Sequence, residues 1–153
     1  MIRFVWIIPF VFFLDRIVKI WIIRQCREGE GFSVVPGVFH LTRVHNTGAA
    51  FGLLKGAPGF LIFFSLFSIF LFLVLLWRYG GGARRWAVQG FGSGLKIGAW
   101  ALIIGGAMGN VYDRIRYGHV IDYLDFRVWP VFNLADVSIC AGVSLLAWAM
   151  LRR

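Results

Sequence analysis

Of the seven acidic residues in this chain, Asp122 and Asp136 stand apart because neither has a lysine or arginine at helical spacing; Arg127, between them, is the nearest candidate. Two carboxylates that share one proton can divide acid–base work, one drawing a proton from water and the other giving one to a carbonyl. That proton belongs to the pair. Asn133 is a good N-cap, and an acid three residues later, entering an apolar run, resembles a capping box in which Glu or Gln is the usual partner. A helix N-terminus favours the ionised carboxylate, so Asp136 is expected to stay charged. Asp122, expected in a loop, is then the protonated partner, with Asp125 as its only substitute. Asp15 with Lys19, four residues apart, and Asp113 with Arg114 read instead as ion pairs that hold helices together.

Other chemistries find less support. His40, His45 and His119 show no HExxH or paired ligand spacing, so no metal is expected. Cys26 and Cys140 are too few for a disulfide framework and read as packing residues. Ser65, Ser68, Ser138 and Ser144 fall in apolar stretches, where hydroxyls usually bond to helix backbone. No GxGxxG or GxxxxGK[ST] run is present, and no cofactor is expected.

The elements that must hold these residues are membrane helices. The chain is 59% hydrophobic and 15% charged, with mean hydropathy +0.78, against roughly 45–50% and about 25% in soluble domains. A length of 153 residues predicts one integral membrane domain without a separate soluble module. Four apolar spans are predicted, at about residues 4–23, 60–77, 97–111 and 137–151, joined on one side by loops 24–59 and 112–136. Asp15, Arg16 and Lys19 interrupt the first run, and no A-x-A site follows, so it reads as a retained helix. The aromatic run Phe60, Phe63, Phe64, Phe67, Phe70 and Phe72 reads as lipid-facing.

The net charge of +9 reports orientation here, with no nucleic-acid partner expected. Arg78, Arg84, Arg85 and Lys96 between spans two and three, with Arg3, Arg152 and Arg153 near the ends, put both termini in the cytoplasm. The other two loops mix signs and face outward; Lys55 lies in the first of them. Asp15 and Lys19, Asn46, the stretch Gly106 to Arg114, and Asn133 with Asp136 then converge on one outer level. Charged groups in hydrocarbon cost at least about 2.5–3.5 kcal/mol and normally mark a site inside the bundle.

Four blocks carry a resemblance over nearly the whole chain: Asp15-Arg-Ile-Val-Lys19; Asn46-Thr-Gly-Ala-Ala-Phe-Gly52; Gly105-Gly-Ala-Met-Gly-Asn-Val-Tyr-Asp-Arg114 followed by Gly118-His-Val-Ile-Asp-Tyr123; and Phe132-Asn-Leu-Ala-Asp136. In this order they resemble the bacterial lipoprotein signal peptidases (signal peptidase II). The resemblance implies a multi-pass aspartyl endopeptidase of the bacterial inner membrane that cleaves prolipoproteins bearing a diacylglyceryl cysteine. It implies Asp122 and Asp136 as the catalytic pair, and Asp15, Lys19, Asn46, Gly106, Asn110, Asp113, Arg114 and Asn133 as supporting positions. It further implies a small extracytoplasmic sheet and short helix built from the loop after the first span, contact with membrane lipid, inhibition by globomycin-type peptides, and a monomer. The competing class is a non-enzymatic bundle, a small transporter or assembly subunit, whose acids relay protons or pair with a partner.

Overall fold

The computed structural model describes residues 6–48, 57–79 and 91–151. Arg3, Lys55, Arg84, Arg85, Arg152, Arg153 and residues 49–52 of the second sequence block lie outside them, as do the side chains of Phe72 and Arg78. The described order is α1 (Ile7–Gln25), β1 (Gly31–Val35), β2 (Phe39–Asn46), α2 (Pro58–Tyr79), α3 (Phe91–Tyr117), β3 (Val120–Asp125) and α4 (Leu134–Leu151). Among the described residues, two stretches, Gly94–Tyr117 and Leu134–Leu151, are long and apolar enough to cross a membrane.

The first helix is inside-out by the standards of a soluble protein. Its buried residues are Val11, Asp15, Arg16, Lys19 and Ile22, a stripe at helical spacing that is mostly charged, whereas Phe10, Phe13, Ile17 and Trp21 on other faces are exposed. Burying ions while exposing aromatics suits a chain whose outer surroundings are apolar. Phe60, Phe63, Phe64, Phe67 and Phe70 on α2 are exposed in the same way.

The central helix α3 packs against α1, α2 and α4. It has 27 residues and continues beyond the apolar run, through Asp113, Arg114 and Arg116 to Tyr117. A helix extends wherever its polar side chains find partners, and apolar periodicity does not register that. Likewise α4 starts at Leu134, directly after the expected Asn133 cap and three residues before its apolar run begins. Close approach of α3 to α4 depends on Gly106: a Cβ there would meet the Ala135 carbonyl oxygen and Ile139.

The sheet is antiparallel in the order β1-β2-β3. Pro36-Gly37 turns β1 into β2, with Gly37 at φ 71°, the left-handed value that a type II turn needs after its proline, and the Val38 N–H donates to the Val35 carbonyl at 3.0 Å. Among the described residues, two strands come from the loop after the first helix. The third comes from the connection between α3 and α4 and contains Asp122, so this residue lies on a strand and not in the expected loop. Pairing of Asn46 with Val120 and of Val44 with Asp122 supplies backbone partners that strand alternation alone does not reveal. No short helix lies among the described residues of the first loop.

Candidate active site

The start of α4 is a reciprocal cap. The Asp136 N–H donates to Asn133 Oδ1 at 2.9 Å, and the Asn133 N–H donates to Asp136 Oδ2 at 3.2 Å. The other free amides of this turn reach distant elements: Leu134 N–H donates to the Tyr123 hydroxyl oxygen at 3.2 Å and Ala135 N–H to Asp15 Oδ1 at 3.3 Å. The first turn of a helix leaves its amides without internal partners. Here α1, β3 and the cap satisfy them and so fix the position of Asp136.

Asp122 is fixed from two other directions. Asn133 Nδ2 donates to its Oδ1 at 2.6 Å, and Asn46 Nδ2 donates to its Oδ2 at 2.9 Å. Asn110 Nδ2 donates to Asp136 Oδ1 at 2.7 Å, while Asn110 Oδ1 accepts from Asn133 Nδ2 at 3.1 Å. Two asparagine amides therefore bridge the carboxylates in a continuous hydrogen-bonded chain. The carboxylates differ in exposure: Asp122 is 2% exposed, whereas Asp136 is half-buried. Burial, reinforced by the neighbouring Asp136 charge and opposed by the Asn46 and Asn133 amides, pushes the Asp122 carboxyl up to about 7. This carboxyl thus holds a proton near neutrality, beside one that sits at a helix N-terminus.

Behind the pair lies a buried ionic cluster. Lys19 Nζ is 2.9 Å from Asp15 Oδ2 and 2.7 Å from Asp113 Oδ2. Arg16 pairs with Asp113 and lies 4.6 Å from the Tyr112 ring centroid. The expected pairing of Asp113 with Arg114 does not occur, because adjacent residues on a helix point in different directions. Arg114 instead donates to the Gly48 carbonyl at 3.0 Å, and its charge acts on Asp136 and Asp122.

Asp125 is no substitute for Asp122. Three residues along a strand put the two on opposite faces, and Asp125 accepts from the Thr42 hydroxyl at 3.0 Å and the Arg127 N–H at 2.9 Å. Burial acts to raise its pKa, but these bonds and the Arg127 guanidinium hold it below the usual range. The Arg127 guanidinium donates from Nε to His40 Nδ1 at 3.2 Å and lies 3.5 Å from Asp125, so these groups, and not Asp122, are its partners. Among the histidines, His45 stacks on His119 with centroids 3.8 Å apart and contacts Glu28 at 2.9 Å. Burial, then His119, lowers its pKa despite Glu28, so near neutrality the Glu28 contact is a hydrogen bond from a neutral imidazole.

Asp122 and Asp136 line one cavity of about 1010 Å³, together with Asn46, Asn110, Arg114 and the exposed Trp129. Cys140, expected to be a packing residue, is exposed and lines this cavity one turn beyond Asp136. Ser68 and Ser138 donate to the Phe64 and Leu134 carbonyls at 2.7 and 2.9 Å. Sequence reasoning assigned no role to two residues of the network, Arg16 and Tyr123. Arg16 had a signal, an arginine inside the polar interruption of an apolar run. Tyr123 had none, because its role depends on where β3 meets α4.

Two solved structures, each described as a bacterial membrane enzyme, share this fold. One aligns with TM-score 0.83 at 29% identity over 99% of this chain and 89% of the other; the second aligns with TM-score 0.81 at 27% identity over 99% and 94%. Fold and neighbours define a helical membrane enzyme. The family model for signal peptidase (SPase) II matches residues 7–152. The lipoprotein signal peptidase of Halothermothrix orenii is 41% identical over 92% of this chain and 89% of its own length. That of Nostoc punctiforme is 42% identical over 99% and 91%. The chain belongs to the signal peptidase II family.

Proposed function

We propose that this chain is an aspartyl endopeptidase that removes the signal peptide from diacylglyceryl-modified prolipoproteins, with Asp122 and Asp136 as its catalytic pair. Family membership supports the substrate class. The observation that carries the aspartate assignment is that both carboxylates line one cavity while Asn110 and Asn133 tether them to each other.

In this reading, ionised Asp136 takes a proton from water as the water oxygen bonds to the scissile carbonyl carbon. Asp122 gives its proton to the carbonyl oxygen, which yields a neutral gem-diol. The carbonyl then re-forms as the C–N bond breaks; Asp136 returns its proton to the leaving amine, and Asp122 recovers one from the diol. The site ends in its starting state, and no covalent intermediate is needed. Arg114 offsets negative charge at the pair, and Asn46, Asn110 and Asn133 hold the acids in register. Asp15, Lys19 and Asp113 are supporting residues, and Gly106 permits the close helix packing.

All four helices cross the inner membrane as one unit with both termini cytoplasmic, and the sheet and carboxylates face outward. The charged inner stripe of α1, its exposed aromatics and the basic link between α2 and α3 support this topology. A signal peptide is already a membrane helix, so its cleavage site can meet wet carboxylates at the outer interface while the acyl chains stay in lipid. A globomycin-type cyclic peptide fits the same cavity as an inhibitor, and one chain carries the complete pair. The test is a gel-shift assay on a diacylglyceryl precursor: Asp122→Asn and Asp136→Asn should each abolish cleavage, while cleavage retained by either folded variant rules out the pair.

A further inference from the structure

Lys19 has no direct contact with either carboxylate of the pair, yet it is fully buried and one of its protons is committed to the amide that bridges them. Its Nζ donates to Asn110 Oδ1 at 3.1 Å, alongside its contacts with Asp15 and Asp113. An ammonium only donates. Its presence, together with the Asn133 amide on the same oxygen, requires that Asn110 turn Oδ1 toward α1 and Nδ2 toward Asp136. An amide turned the other way would set two donors against Nδ2 and aim its oxygen at a carboxylate.

We propose that Lys19 is a positioning residue for the carboxylate pair, one that locks the Asn110 amide as a donor to Asp136. This deepens, and rests on, the peptidase reading. The groups facing Asp122 also set its ionisation. Asp136 from α4 disfavours its ionisation; Lys19 from α1 and the amides of Asn46 and Asn133 favour it. Arg114 from α3 also acts on it, and His45 of β2 lines the same cavity as a neutral ring. Asp15, Arg16 and Asp113 lie behind Lys19 and with it form a cluster of two acids and two bases. Removing the ammonium therefore makes Asp122 hold its proton to higher pH and leaves the Asn133 amide as the one donor still holding Asn110 Oδ1 in place.

The experiment is the pH profile of kcat/KM for cleavage of a diacylglyceryl precursor peptide by wild type, Lys19→Met and the double variant Lys19→Met/Asp15→Asn. The double variant leaves only the opposite charges of Asp113 and Arg16, so it stays neutral, and the new amide can still accept the Ala135 N–H. Both variants should move the alkaline limb upward, the single one by about half a pH unit or more, with kcat at least tenfold lower and KM little changed. A purely structural role predicts an even loss at every pH; limbs that coincide with wild type in both variants would overturn the proposal. If limbs are unmoved while Asp122→Asn and Asp136→Asn are inactive, only the Lys19 assignment fails. If those aspartate variants cleave, the peptidase reading itself fails.

Discussion

Replacing Asp122 with asparagine should have opposite effects on activity and stability. A carboxyl displaced from 3.8 to about 7 costs the folded state about 4 kcal/mol above pH 7, at roughly 1.4 kcal/mol per tenfold change in proton affinity. Folding raises this pKa, so the folded chain holds an extra proton between the two values. The contribution of Asp122 to stability is therefore greatest in acid, falls as pH rises from about 4 to 7, and then levels off. The amide carries no such charge, but it keeps only one of the two oxygens that Asn133 and Asn46 now address. The donor left without a partner costs about 1–3 kcal/mol. At pH 8 the variant should thus be more stable by about 1–3 kcal/mol. At pH 5 wild type regains about 3 kcal/mol of its loss, and the advantage vanishes or reverses. Thermal melts of both proteins in one detergent at the two pH values would show it: the difference in Tm should change by about 5–10 °C, at about 2–4 °C per kcal/mol for a chain of this size. An equal Tm difference at pH 5 and pH 8 would refute the claim that Asp122 is protonated because it is buried beside Asp136.

Gly106→Val drives a branched side chain into the Ala135 carbonyl and Ile139. It should cost about 1–3 kcal/mol in denaturant melts, and cleavage should fall further than stability because Asp136 moves with α4; wild-type turnover would contradict the packing account. Tyr123→Phe removes the acceptor of the Leu134 N–H and should lower stability by about 1–3 kcal/mol. In hydrogen exchange, the Leu134 amide should lose protection more than amides at the centre of α4, and uniform loss would argue against a capping role. Arg16→Met leaves Asp113 with Lys19 as its one remaining cation in the cluster. Breaking a buried pair on one side typically costs about 3–5 kcal/mol, to be measured as yield of folded protein and Tm in detergent; an unchanged Tm would mean that the Arg16 contact contributes nothing.

The sequence by itself determined the environment of the chain and the chemistry available to it. Apolar runs too long and too numerous for a soluble core, basic residues unopposed by acids on one set of connections, and two acids without helix-spaced partners follow from composition and spacing alone. The Asp15–Lys19 pair and the Asn133 cap were legible for the same reason, since one helix turn fixes both geometries. Tertiary structure decided what crosses between elements. That Asp113 chooses Arg16 and Lys19 over the adjacent Arg114, that Asp122 lies on a strand paired with β2, that Tyr123 and Asp15 cap α4, and that Asn110 faces Asp136 all depend on segments up to 120 residues apart. Local periodicity says which residues share a face, and it is silent on what that face meets; only the packing of α1, β3 and α4 around α3 selects the partners.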